Sequence, residues 1–261
     1  MVKLSNKFAK HMARNEILVP YLNNWFANGE MPDEIPFTVH PNKEDDNAFH
    51  PSGALKCARE LWIERQGDHE YAKHDATSQK NFMIGHMYHG LIQFIMVEEL
   101  GFSKWSEVER EYDYGWDKEG NCFDDSLVTH KGNSYRIRGF ADFSRCRLPG
   151  KGEYLVDIKT MMSRIYAQDF VGSANQPKYE AQVKLYMDLE DINQAIILCV
   201  EKDGPHRFKE HVVAADHDFC EDIYDKWEYV VDCEVEGVVP DCTCDHSVEC
   251  PAKGFDPVGR T

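Results

Sequence analysis

The chain has 261 residues, of which 42% are hydrophobic, and carries a formal net charge of −17 at pH 7. That apolar share is enough for a substantial core and argues against a disordered chain. No apolar run approaches membrane length and Met1-Val-Lys-Leu-Ser-Asn-Lys7 holds no hydrophobic signal core, so the sequence predicts a soluble, cytoplasmic protein with no membrane partner.

In chain order, residues 4–28 read as helical on the stripe Phe8, Met12, Ile17, Tyr21 and Trp25, with a kink or break at Pro20. Residues 29–51 contain four prolines and little periodicity, and read as a long loop. Helices are predicted at about 52–65 and 77–100, the second apolar on Phe82, Met83, Met87, Leu91, Phe94 and Ile95. Strands follow near 107–114, 123–129, 134–145 and 154–159, with Pro149 to Gly152 as the turn between the last two. After a helix from Pro177 to Leu189, the continuous apolar run Gln194 to Val200 suits a buried central strand. His206 to Val213 pairs beside it across Asp203-Gly204-Pro205, and a helix from Asp216 to about Glu236 leads into a cysteine-rich tail. This order describes an α/β fold in a single domain, a mixed central β-sheet flanked by helices.

Three of these elements carry chemistry. Gly139-Phe-Ala-Asp142 lies on one strand and Asp157-Ile-Lys159 on the next. Side chains alternate across a strand, so Asp157 and Lys159 share a face while Ile158 points to the core. A hairpin brings Asp142 beside Asp157, and two converging carboxylates repel unless a hard cation such as Mg²⁺ lies between them. Gln182 and Tyr186, four apart on a helix, address one substrate. Taken singly, each residue also has a plain structural role. The acids and Lys159 are ordinary surface groups, Gln182 and Tyr186 a polar helix edge, and His89 a core histidine bonded to a carbonyl. His86 is assigned that last role.

As an ordered set these segments resemble the PD-(D/E)XK nuclease superfamily. Gln182-Val-Lys-Leu-Tyr186 looks like the Q-x-x-x-Y motif of its RecB-type branch, and Gly85-His-Met-Tyr-His89 like that branch's G-x-x-x-H helix. The resemblance runs from about Ser52 to Cys250. It implies one RecB-like nuclease domain over 1–261, with an N-terminal helix and loop at 1–51, the nuclease core at 52–236 and the tail at 237–261. It also implies Mg²⁺ or Mn²⁺ held by His89, Asp142, Asp157 and the main-chain carbonyl of Ile158, the imidazole favouring Mn²⁺. Asp142, Asp157, Lys159, Gln182 and Tyr186 are then the catalytic set. The cation acidifies water and neutralises the scissile phosphate. Lys159 orients the water or steadies the phosphorane, and Gln182 and Tyr186 fix the in-line geometry.

The nine cysteines form a second pattern. Cys242, Cys244 and Cys250 crowd into a short tail between Pro240 and Pro251, too tight for an unstrained disulfide and well suited to thiolate ligation of a soft metal centre. With Cys57 as fourth ligand, they look like the iron–sulfur staple of AddB-type and CRISPR-associated RecB-like exonucleases, a 4Fe–4S cluster that clasps the ends of the domain. Those families space the tail as C-x-x-C, whereas one residue separates Cys242 from Cys244. The alternative is structural zinc on the three tail cysteines with either His246 or Cys57. Cys122, Cys146, Cys199, Cys220 and Cys233 read as ordinary thiols in a reducing compartment.

The activity implied is that of a metal-dependent DNA exonuclease acting on strand ends in recombination, repair or phage DNA processing. Two other classes stand beside it: an endonuclease or accessory subunit of a DNA-processing complex, and a non-catalytic DNA-binding scaffold. The sequence has no G-x-x-x-x-G-K-[ST] phosphate loop, so any unwinding comes from a helicase or recombination partner. The net charge opposes DNA at a distance. Lys56, Arg59, Arg136, Arg138, Lys178 and Lys184 are the candidates for a local phosphate track.

Overall fold

Five strands form one mixed sheet in the order β1 (Val108–Gly115), β2 (Arg136–Leu148), β3 (Gly152–Met161), β4 (Gln194–Glu201) and β5 (Phe208–Ala214). The helices are α1 (Val19–Asn28), α2 (Ala58–Arg65), α3 (Ala76–Phe94), α4 (Ser163–Ala167), α5 (Gln176–Glu190) and α6 (His217–Glu236). These come from a computed structural model that describes residues 16–30, 48–66, 75–115, 135–167, 173 and 175–242. The chain divides into two units. The first is Met1–Pro41, His74–Arg110 and Phe140–Ala215, and the second is Asn42–Lys73, Glu111–Gly139 and Asp216–Thr261.

The hairpin β2–β3 is antiparallel, with Phe143 opposite Val156 and a register irregularity before Cys146. Its turn uses Gly150 and Gly152 at φ +69° and +106°, conformations that side-chain-bearing residues avoid. β3 and β4 run parallel, from Leu155 opposite Ala195 to Met161 opposite Glu201. A parallel pair needs a crossover rather than a tight turn, and α4 and α5 supply it. β4 pairs antiparallel with β5 and is buried from Ala195 to Glu201, the expected central strand.

In the first unit the strands turn alternate residues to two faces. Val156, Ile158, Ile196, Leu198 and Val200 point into a core shared with Leu18, Leu22 and Trp25 around α1, and with Ile92, Ile95 and Met96 at the end of α3. Asp157 and Lys159 point the other way, toward α5. Pro20 lies in the first turn of α1, where its missing N–H breaks no helical bond, and residues 16–18 are not helical. It therefore starts a helix rather than kinking one. The carboxylate of Glu210 on β5 accepts the Leu18 and Val19 amides at 2.6 and 3.0 Å, closing that helix end. Residues 4–15, most of the loop at 29–51 and the strand expected at 123–129 lie outside the described residues.

α3 departs from its expected apolar face. It buries Gly85, Gly90, Ile92 and Gln93, while Phe82, Met83 and Met87 are 51%, 63% and 54% exposed. His86, read as a core histidine, is also exposed. The cause is a close approach to the sheet: a Cβ on Gly85 would lie 3.0 Å from Thr160 Oγ1. The glycine edge meets β3, so the bulky apolar residues of these turns are left outside.

In the second unit α2 packs against α6. Phe49 stacks on the fully buried Trp227, centroids 5.0 Å apart and planes 8° from parallel. Arg65 covers Phe49 with its guanidinium 4.5 Å above the ring and pairs with Glu234 at 2.7 and 2.9 Å. Asp216 caps α6 and Gly237, at φ +68°, ends it. Three residues of the expected phosphate track are engaged here. Lys56 pairs with Glu64, Arg59 donates to the Pro240 carbonyl at 2.9 Å, and Arg138 pairs with Glu111 at 2.9 Å.

Leu198 is fully buried at the centre of β4. Leu198→Ala should cost about 2–5 kcal/mol of unfolding free energy, the usual effect of such a cavity, measured by urea denaturation. An unchanged midpoint would contradict the central placement of this strand.

Candidate active site

The register that sets Phe143 opposite Val156 makes Asp142 and Asp157 the next facing pair. Both are buried, at 7% and 2% exposure. Asp142 is fixed from two sides. Its Oδ1 lies 3.0 Å from His89 Nδ1, and its Oδ2 accepts the main-chain N–H of Ile158. Asp157 is held by its neighbour two residues along, with Lys159 Nζ 3.0 Å from Oδ1 and 2.9 Å from Oδ2. Ile158 between them is fully buried in the core, so the strand alternation sorts the three side chains.

These groups set one another's ionisation. Burial pushes the Asp142 carboxyl up, but the charge and hydrogen bond of His89, then Lys159 and the Ile158 amide, hold it below the usual carboxylate range. Burial raises Asp157, and the charge of Asp142 adds to this against the pull of Lys159. Burial alone would lower His89, yet the charge and hydrogen bond of Asp142 hold it above its ordinary 6.5. Lys159 is likewise raised, since Asp157 and Asp142 outweigh its burial, and it stays an ammonium ion.

α5 closes the same face. Gln182 Nε2 donates to Tyr186 Oη at 3.3 Å, and both residues are buried. Burial, with the charge of Asp157, pushes the Tyr186 phenol well up, so it remains a neutral O–H. Tyr179, absent from the sequence reading, places its ring 5.3 Å from Lys159 Nζ. It lies three residues before Gln182 and seven before Tyr186. That helical stripe was its available signal.

The second residue missed by sequence is Glu109 on β1. Donor atoms of His89, Glu109 and Asp142 all lie within 4.8 Å of one another, a spacing that a cation can bridge. Gln93 Nε2, buried on α3, donates to Glu109 Oε1 at 2.7 Å and aims it. Glu109 also has φ +50°, a conformation costing about 1–3 kcal/mol that persists where neighbours over-determine it. In sequence nothing separates Glu109 from Glu107 and Glu111. An imidazole nitrogen with carboxylate oxygens is a donor set that fits Mn²⁺ or Mg²⁺. Asp157, expected among the ligands, has both carboxylate oxygens paired with Lys159 Nζ, at 3.0 and 2.9 Å.

Of the cysteines expected to bind metal, Cys57 and Cys242 share a small cluster with Trp62 and Ile63. Cys57 caps α2, its Sγ accepting the Glu60 amide at 3.4 Å. Lys226 donates to the Ala54 carbonyl, and burial holds its ammonium below the usual lysine range. An amide donated to a sulfur fits a thiolate ligand. Cys244, Cys250 and His246 lie outside the described residues. Cys146, Cys199, Cys220 and Cys233 are buried and form no disulfide among the described residues.

Because His89 and Asp157 both hold their protons to higher pH than usual, and a cation must displace those protons, affinity for Mn²⁺ should rise with pH through and above 6.5. Calorimetric titration at several pH values checks this, with His89→Gln flattening the rise. Gln93→Ala should weaken Mn²⁺ binding about 10–100-fold while leaving thermal unfolding nearly unchanged, as loss of a ligand's supporting partner does.

No family model matches this sequence, and no curated protein does. Among solved structures, the chain is similar to SSO0001, with TM-score 0.50 and 17% identity over 85% of this chain and 91% of that one. It is also similar to a phage-related exonuclease from Haemophilus somnus 129PT, with TM-score 0.45 and 13% identity over 73% of this chain and 96% of that one. An alkaline exonuclease from Laribacter hongkongensis gives TM-score 0.44 and 12% identity over 73% and 89% of the two chains. At these identities the likeness is one of fold: a mixed five-stranded sheet flanked by helices.

Proposed function

We propose that the chain is a metal-dependent DNA nuclease that works from strand ends. The observation that carries this reading is the buried site itself: two facing carboxylates, a paired lysine, and a convergent His89, Glu109 and Asp142 set beside Gln182 and Tyr186. Burying that much charge is costly, and core stability alone gives no reason for it. His89, Glu109, Asp142 and Asp157, with the Ile158 carbonyl, would hold Mg²⁺ or Mn²⁺. When bound, the cation supplies charge neutralisation at the scissile phosphate and a more acidic water.

The chain's own groups then divide the work. Lys159 stays protonated, so it acts as a cation toward the phosphate and not as a base. Tyr186 keeps its proton and Gln182 orients it, so the pair donates to the substrate strand or the attacking water. Tyr179 steadies the Lys159 ammonium across its ring face. In this reading the chain acts as one RecB-like PD-(D/E)XK domain in a bacterial or phage-infected cytoplasm. A helicase or recombination partner supplies the ends.

The proposal extends to the tail: Cys57, Cys242, Cys244 and Cys250 bind a 4Fe–4S cluster, with structural zinc as the alternative. Support comes from Cys57 and Cys242 lying in one cluster, with the Glu60 amide donated to the Cys57 sulfur. Bound there, the cluster supplies a cross-link between the start of α2 and the tail.

Purified protein with Mn²⁺ should degrade end-labelled linear DNA and leave covalently closed circles intact; efficient nicking of circles would make it an endonuclease. Asp157→Ala and Lys159→Ala should each slow cleavage at least about 100-fold without unfolding the protein. Wild-type rates in both variants would remove the site. Anaerobically prepared protein should be brown and contain iron and acid-labile sulfide, and Cys57→Ser should bleach it and lower its melting temperature. A colourless protein with about one zinc per chain would assign zinc instead.

A further inference from the structure

We propose that the outward face of the first turns of α3 is a stacking platform for the unpaired bases of a single DNA strand whose backbone enters the His89 site, an inference that rests on the nuclease reading above. Phe82, Met83 and Met87 are more than half exposed, at 51%, 63% and 54%, and Ile84 is 39% exposed. Scattered apolar residues on a surface need no explanation, but several on consecutive turns of one helix mark a contact surface. The helix cannot rotate to hide them. Its opposite edge is fixed by Gly85 against Thr160 and by Ile92 in the core.

Helical phase ties this patch to the catalytic centre. Phe82 and His89 are seven residues apart, which puts them nearly in line on one face, about 10 Å apart along the axis. His86 lies on the same side between them and is exposed. Met83 and Met87, four apart, form the adjoining row. A strand with its phosphate at His89 and Asp142 therefore has its neighbouring nucleotides over Phe82 and the methionines.

Three cations lie about this end of the helix although the whole chain carries −17, with Asp75 at the helix cap and Asp203 bonded to Ser163 as the acids among them. Lys80 is exposed on the same helix, and Lys202 reaches it by donating to the Asn81 carbonyl at 3.3 Å. Two residues beyond Thr160, which meets Gly85, Met162 is 41% exposed, and Arg164 after it is exposed too. Apolar faces for bases within a rim of cations for phosphates are what a single strand requires. A duplex has its bases already stacked inside, so the platform selects single strands or frayed ends. A second copy of this acidic chain matches the lysine border in charge alone, and seated there it would lie across the approach to His89.

The test is fluorescence anisotropy of the full-length protein, with Ca²⁺ in place of Mn²⁺ to prevent turnover. One probe is a labelled oligo(dT) of about 20 nucleotides, and the other is a strand of equal length built from abasic units. Wild-type protein should bind oligo(dT) at least about tenfold more tightly, the scale of stacking one base. Met83→Ser with Met87→Ser should lose that advantage to within about twofold, with the abasic affinity unchanged. Phe82→Ala should act alike, and the methionine pair, the more exposed, decides the matter should Phe82→Ala fail to fold. Retained base dependence in the variants, or equal loss for both strands, overturns the platform. Sedimentation that shows a wild-type dimer dissociated by the methionine substitutions also overturns it, in favour of a self-association face. If wild-type protein neither binds nor cleaves any DNA, the nuclease reading itself fails; cleavage without base dependence fails the platform alone.

Discussion

Two carboxylates face each other across the β2–β3 hairpin, both out of water, and the surrounding structure is arranged to make that tolerable. Like charges at such a distance repel strongly in a poorly screened interior. The chain answers with asymmetry. Asp142 keeps its charge under the pull of His89, Lys159 and the Ile158 amide, while Asp157 is pushed toward its proton and leans on Lys159. The two acids are thus prepared for different partners. Asp142 depends on two other elements, α3 through His89 and β3 through the Ile158 amide, whereas Asp157 leans on a residue of its own strand.

That dependence explains the local choices around the site. The mixed sheet puts Asp157 and Lys159 on the parallel strand β3, whose crossover through α4 and α5 returns Tyr179, Gln182 and Tyr186 to the same face. Gly85 lets α3 approach Thr160 closely enough for His89, one turn further on, to reach Asp142. Gln93, one turn beyond His89, is buried and polar because it aims Glu109. One helix therefore supplies a contact residue, a site residue and a positioning residue at successive four-residue steps. The same docking leaves Phe82, Met83 and Met87 outside.

Much of the secondary structure was legible because short-range patterns determine it. The run Ala195 to Val200 is apolar throughout and became a buried interior strand of the sheet. Pro149 to Gly152 is a turn in any context, since Gly150 and Gly152 supply the positive φ. The alternation Asp157-Ile158-Lys159 separated core from site within three residues. Pro20 was misread because proline breaks a helix interior but suits a first turn, and composition does not say which position it holds. The outward face of α3 was misread because its apolar residues are too numerous for one stripe, and which of them are buried depends on the strand the helix meets.

By itself, then, the sequence determined most of the described strands and helices, the order of the acids, lysine, histidine and Gln/Tyr pair, and their faces on each element, because those properties repeat every two or 3.6 residues. Only the tertiary structure decided that Glu109 rather than Glu107 or Glu111 joins His89 and Asp142, that Asp157 turns to Lys159, and that Tyr179 lies over that lysine. Those outcomes depend on distances between residues far apart in the chain, and no local pattern encodes a distance.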